Sequence, residues 1–565
     1  MIGVLSRADE AEVIAEFFQL FKTPWEPFQA GRSYDVVFST GDDILQVKAR
    51  LLILFGSQSK RDDSRRMIAA RPVSGEVLVR HGENEVPIYT GALVFDGSTT
   101  WKPCLESSNG TVGVKAESGD GVILRVGYDL FREVKWLLSS GQPVEHAHLP
   151  TLELHIMMLR DWMIEAGISF LEIPPVPDGK RFVVCLTHDI DFIGIRDHKF
   201  DHTMWGFLHR STLGALRGFV RRRISLGRLL QIWRAAASLP LVWLGWVKDF
   251  WLPFDWYLRV EHDLPATYFL IPFKGRTGDK VTGRHANRRA TKYDVTGLSA
   301  WTSRLLGQGC EMGVHGIDAW HSAALGRAER ERIAAVTGRD EIGTRSHWLL
   351  RDENSARVLE EAGYAYDSTE GYNETIGYRS GTTQVFRPLG ARRLLELPMH
   401  IQDGALFYSH RLDLSEDEAW ARCGQLIENA GKFGGVLTCL WHDRSHGPER
   451  FWGDFYIRLV GKLRTLDVWF ATAGQVVAWF RSRREVVFAR VKSNDEQDQV
   501  SIRSAANSIS PPLTLRIHCP ANMGADGFNH HRGSHDVVWN GSVAVTVEEL
   551  IQAAAVSTHT TTHLK

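Results

Sequence analysis

The residues best suited to chemistry stand together from Thr187 to Asp191, in the order Thr-His-Asp-Ile-Asp. They follow an apolar run, Phe182 to Leu186, that comes after the turn signal Pro177-Asp178-Gly179. Such a run reads as a buried strand of a parallel sheet. A buried strand should stay apolar or stop, and this one stops in two carboxylates and a histidine. Strand C-terminal ends are where α/β barrels keep their chemistry. Asp189 and Asp191 are two positions apart, so on extended backbone they point the same way. That arrangement suits a metal ligand beside a general base. A competing reading makes them a helix N-cap and a solvated loop, where aspartate is common.

A strand that presents such a pair needs neighbours to hold it. Apolar runs recur at 264–272, 309–315, 395–398 and 435–442, with helical spacing at 298–306 and 327–336. The alternation from 181 to about 480 predicts a mostly parallel sheet or barrel. An insertion near 195–255 interrupts it: Arg217 to Arg228 is basic, and Leu229 to Trp251 is rich in Leu and Trp. Two readings stand for this insertion. It is an interfacial segment that meets anionic lipid, or it packs on the barrel, with Pro240 breaking any long helix.

Outside that region the pattern changes. Residues 1–150 read as a mixed α/β domain, with a helix from Ala11 to Lys22, strands at 34–40 and 51–56, and antiparallel strands from Gly75 to Val126. Residues 151–180 read as a helix opened by Pro150, then a stiff Pro-rich linker. Residues 486–565 read as a linker, Ser493 to Ser510, followed by a small β module or a partly disordered tail. The histidine pair His530-His531 reads as surface. The fold class expected is α/β: a distorted (β/α) barrel, an N-terminal mixed domain and a small β-rich C-terminal part.

The 565 residues suffice for two to four domains, and 44% hydrophobic with 24% charged content is that of a globular protein. A formal net charge of −1 gives nucleic-acid binding no support. None of the six cysteines forms a C-x-x-C pair, so they read as reduced core thiols. The opening residues lack a basic start and an apolar core, and no run matches a membrane span. Together these predict a cytoplasmic protein, with contact to a membrane surface left open.

Several stretches, in order, resemble the polysaccharide deacetylase superfamily, carbohydrate esterase family 4. Leu186-Thr187-His188-Asp189-Ile190-Asp191 looks like its first motif, in a His-Asp-x-Asp form. Cys310 to His315 looks like the approach to the second motif, Gly343-Thr344-Arg345 falls where the third-motif arginine belongs, and Val436 to His442 looks like the last motif. The resemblance covers about half the chain. It implies hydrolysis of an N-acyl group on a sugar, with Asp189 as general base, Arg345 as its orienting partner and His442 as general acid. It also implies one divalent ion, zinc first and cobalt or manganese as alternatives, held by Asp191, His315 and His321. The second motif departs from the family pattern, because Ala319 stands four residues after His315. His321, Asp318 and His347 are therefore all open as the third ligand. The resemblance implies a saccharide or lipid-linked saccharide substrate. Two alternatives remain: a binding or scaffold protein that lost turnover, and a deformylase or other amidohydrolase on the same barrel. His188 reads as a packing residue or a participant. Asp367 reads as a fourth-motif aspartate or an Asx-turn.

Overall fold

A computed structural model describes residues 1–42, 47–96, 100–119, 121–222, 224–283, 286–492, 498–506, 508–520, 533–541 and 544–551. The apolar stretch at 183–190 is a strand, β1 (Val183–Ile190), and every residue of it is buried. Each large apolar side chain so removed from water contributes about 1.5–3 kcal/mol, which fixes this strand at the centre of its sheet. Around it run β2 (Ala266–Leu270), β3 (Glu311–Gly316), β4 (Thr344–Ser346), β5 (Tyr366–Asp367), β6 (Leu395–Glu396), β7 (Ile401–Gln402), β8 (Val436–Leu440) and β9 (Trp469–Phe470).

The sheet order is 6-5-4-3-2-1-8-7, with β9 paired to the start of β1, and every pairing is parallel. The two edge strands, β6 and β7, follow one another in the chain. Residues 397–400 bridge the gap between them, where Met399 N–H donates to Glu370 and His400 N–H to Thr438. The sheet therefore curls toward a ring, completed by irregular backbone: a distorted (β/α) barrel. Helices Ala323–Thr337, Glu416–Phe433 and Trp452–Arg464 share its outer core.

Two glycines permit the close approach that fills the barrel. A Cβ on Gly313 would meet the Phe269 ring at 2.7 Å, and one on Gly343 would meet the Tyr366 ring at 1.9 Å.

Ahead of the barrel, strands Ile2–Leu5, Tyr34–Ser39, Ala49–Phe55 and Gly121–Val126 pair in parallel. The same sheet continues antiparallel through Gly110–Ser118, Lys102–Ser107, Val77–His81 and Asn84–Ile88. Helices Ala11–Phe21, Leu130–Ser139 and Thr151–Glu165 cover one apolar face of it. After the barrel, Asp498–Arg503 pairs with Val487–Lys492 inside the stretch whose composition reads as a linker. Val500 and Ile502, two apart, are the apolar residues buried there, with Ser501 buried between them, a signal that the polar neighbours mask. Leu513–Cys519 pairs with Phe170–Glu172, so the C-terminal strands are tied back to the segment before the barrel. His530 and His531 lie outside the described residues. No described helix is long and apolar enough to cross a membrane.

Candidate active site

The parallel strands deliver their polar residues to one end. Asp189 and Asp191 come from the end of β1, and His315 from β3. Arg345 lies on β4 with His347 just after it, and His442 is two residues beyond β8. In register, His315 lies opposite Arg345 and Thr187 opposite Leu440.

Asp189 is held through one oxygen by a buried arginine. The Arg345 guanidinium donates to Asp189 Oδ1 at 3.0 Å and to Thr187 Oγ1 at 2.9 Å. Its other donors go to the Ser368 carbonyl and hydroxyl, both at 2.9 Å. Phe269 lies under it, 4.5 Å from the guanidinium carbon, in the space that Gly313 leaves open. Arg345 is fully buried, with its guanidinium fixed by these four hydrogen bonds. Asp189 Oδ1 is thereby held, while Oδ2 faces His315 Nε2 at 3.7 Å.

Asp191, His315 and His347 form a second cluster, with ligand atoms all within 4.8 Å of one another. His315 Nε2 lies 3.5 Å and His347 Nδ1 3.2 Å from Asp191 Oδ1. His315 Nδ1 lies 3.0 Å from the Arg345 carbonyl. A carbonyl only accepts, so Nδ1 carries the proton and Nε2 offers its lone pair to the cluster. Asp191 Oδ1 and both His347 nitrogens are buried without a hydrogen-bond partner. Burial pushes Asp191 upward, but His347 and His315 outweigh it and hold the carboxyl well below its ordinary range. Burial lowers His347 below the ordinary imidazole value, the direction a metal ligand needs, whereas at His315 burial is outweighed by the pull of Asp189 and Asp191, which raises it. One carboxylate oxygen and two imidazole nitrogens converge there, a donor set that fits a zinc-like divalent ion.

His321, one of the three candidates for third ligand, stands apart from this cluster. β3 ends at Gly316, and the chain then turns into helix Ala323–Thr337. In that turn His321 Nε2 pairs with Asp318 Oδ1 at 2.9 Å, and Asp318 also accepts from Asp279 N–H and donates its own N–H to Glu329. Six residues past His315 is too far along the turn. His347, one residue past the neighbouring strand, sits beside His315 instead, with ring centroids 4.7 Å apart.

His442 faces this pair from β8. Its Nδ1 lies 2.6 Å from Asp403 Oδ1, and its N–H donates to Asp403 Oδ2 at 2.9 Å. The Ser445 hydroxyl also donates to Oδ2. Burial would lower His442, but Asp403 dominates, with Asp189 and Asp191 adding, and the imidazole is raised to about 10. Asp403 follows β7 and is absent from the sequence expectations. Its only signal was a carboxylate after the short run ending in Ile401-Gln402. Asp443 is buried beside the site with neither oxygen hydrogen-bonded and Arg444 at 3.9 Å, and burial raises it to about 7.

His188 points to the other side of β1. It lies 2.9 Å from the Trp441 carbonyl and 2.7 Å from Glu261, fully buried among tyrosines. It packs and hydrogen-bonds. Asp367 accepts from Ser368 N–H and Thr369 Oγ1, the local pattern of an Asx-type turn. At the rim, Trp348 and Leu349 both have left-handed backbone, φ +67° and +55°, a conformation that costs about 1–3 kcal/mol per non-glycine residue. It leaves the Trp348 indole 39% exposed and stacked on His347 at 5.6 Å.

No protein-family model matches the chain, and no curated protein matches it. Solved structures do. A candidate polysaccharide deacetylase from Mycobacterium smegmatis aligns at 18% identity over 55% of this chain and 95% of its own, with a TM-score of 0.33. Puue allantoinase aligns at 12% identity over 54% of this chain and 92% of its own, TM-score 0.31. Agd3, described as a novel carbohydrate deacetylase, aligns at 9% identity over 97% of this chain and 99% of its own, TM-score 0.33. At such identities and scores, what the site does has to be read from its own side chains.

Proposed function

We propose that this chain is a metal-dependent hydrolase that removes an N-acyl group, N-acetyl first, from a saccharide, free or lipid-linked. One observation carries the reading. An arginine-held carboxylate and a carboxylate-held histidine flank a two-histidine, one-carboxylate cluster at the mouth of one barrel. The sequence resemblance supplies the substrate class, and the exposed Trp348 offers a flat apolar face on which a sugar ring can rest.

Asp191, His315 and His347 would hold the ion. When bound, it supplies Lewis-acid polarisation of the amide carbonyl and a lowered pKa for water. Asp189 takes one proton from the attacking water. Arg345 keeps that carboxylate aimed, because it binds one oxygen and leaves the other free. The C–N bond breaks as the water oxygen joins the acyl carbon. His442, protonated at neutral pH because of Asp403, delivers its proton to the departing amine nitrogen. The products are a carboxylate and a free amino sugar. A binding protein would need neither the base with its orienting arginine nor the acid with its carboxylate.

The test is acyl release from a panel of N-acyl saccharides. It uses chelator-treated protein reloaded with zinc, cobalt or manganese, with Asp189→Asn alongside. Release that needs both metal and Asp189 supports the reading. Metal binding without release from any saccharide would assign the chain to the binding class.

A further inference from the structure

The insertion between β1 and β2 has a surface that the hydrolytic reading does not use. From His202 to Lys248 the chain carries seven arginines and one lysine and no aspartate or glutamate, in a protein of net charge −1. The same stretch supplies 12 of the 21 large apolar side chains exposed among the described residues. Helix Leu226–Leu244 is apolar on both faces. Leu229, Ile232, Leu239 and Val242 are buried against the protein. On the other side Leu226, Leu230, Trp233, Leu241 and Leu244 are exposed, at spacings that keep them in one stripe with Ala237. A helix facing water would carry polar residues there.

The charges are as informative as the stripe. Arg228 is paired with Asp454, Arg210 with Glu449 and Lys248 with Asp255. Arg217, Arg221, Arg222 and Arg234 are exposed, and among the described residues none has an acidic partner within ion-pair distance. Free guanidiniums beside exposed leucines and tryptophans complement an anionic lipid surface, with headgroups for the arginines and acyl chains for the stripe. A second copy of this chain on the same face would bring like charges together. The insertion leaves the barrel directly after Asp191 and packs on the segment after His442. There Arg444 stacks on Phe192 and Trp251, and Arg228 on Phe451.

We infer that the insertion docks the catalytic end of the barrel on an anionic membrane surface, lying in the interface without crossing it. Resting on the deacylase reading, this makes the substrate a saccharide presented at that surface. The test is flotation of the full chain with vesicles of equimolar phosphatidylcholine and phosphatidylglycerol, against phosphatidylcholine alone. The chain should float with the anionic vesicles only, and high salt should weaken it. Replacing Arg217, Arg221, Arg222 and Arg234 by Gln should cut the affinity at least about a hundredfold. Leu230→Ser with Trp233→Ser should do so too. All variants should hydrolyse a small soluble N-acyl saccharide as the parent does. Failure to float, or floating that survives the four Arg→Gln changes, would overturn the inference. So would a dimer in solution that Leu230→Ser with Trp233→Ser dissolves, because the stripe would then belong to a second copy. Flotation reads no turnover, so its outcome and that of the acyl-release test are independent.

Discussion

Two buried Arg–Asp pairs in this molecule look alike and are built differently. In the N-terminal sheet Arg125 meets Asp63, and in the barrel Arg345 meets Asp189. All four side chains are at most 4% exposed. Arg125 grips both oxygens of Asp63, at 2.7 and 3.0 Å, and Asp63 Oδ2 also accepts from Lys60 N–H. Arg345 touches only Oδ1 of Asp189 and directs its other donors to Thr187 and Ser368. The saturated carboxylate holds the fold in place. The half-satisfied one keeps an oxygen for work. Asp403 is a useful third case: both its oxygens are engaged by His442, Ser445 and Gly404, which fits a group that orients another and does not itself react.

Swapping the acids for amides should break the likeness most plainly. Asp189→Asn keeps an oxygen for Arg345 but loses the base, so kcat for acyl release should fall at least about a thousandfold with little change in melting. Asp63→Asn must turn an NH2 toward a guanidinium. It should destabilise by about 3–5 kcal/mol in denaturant titration while the surviving folded enzyme keeps its kcat. Equal stability losses at the two sites would erase the distinction.

Next in size is the cluster that the free oxygen faces. His347→Ala should weaken divalent-ion affinity about a hundredfold, read by dialysis and elemental analysis, whereas His321→Ala should leave it unchanged. A loss at 321 alone would reverse the ligand assignment.

Smaller still is the effect of loosening the saturated orienter. His442 is raised to about 10 by Asp403. Its acid form, and the stability the pair adds, are therefore full below the unfolded value near 6.5 and lost as pH rises through about 10. Asp403→Asn should bring the alkaline limit of kcat/KM down by about two units or more, with a modest effect at neutral pH. An unmoved alkaline limb would remove His442 from the acid's role. The smallest effect expected is at the rim. Trp348→Ala should raise KM by roughly threefold to tenfold, since stacking on an aromatic face is worth about 1 kcal/mol, and should spare kcat.

The part of this that a sequence shows is the part written in contiguous residues. The apolar run from Phe182 to Leu186 announced a buried strand, which the structure extends to Ile190, and the carboxylates that follow the run marked a candidate site. His442 was singled out by the resemblance of Val436 to His442 to the family's last motif. The gathering of His347 with His315 was harder to see, because proximity along the chain favoured His321, while the register of β3 against β4 brings His347 beside His315. Asp403 was hidden by the brevity of β7, two residues with no periodicity to detect. The Arg125–Asp63 clasp joins residues 62 positions apart with nothing local to mark either one. The strand at 498–503 vanished into its polar composition.

Arg345 meets the site in two ways, through its guanidinium to Asp189 and through its carbonyl to His315. Mutagenesis can delete only the first, because every replacement retains a peptide oxygen. A variant at 345 should therefore still load its ion after it has stopped turning over substrate. Inactive protein that still binds metal would be a direct sign that one residue serves both halves of the site with separate parts of itself.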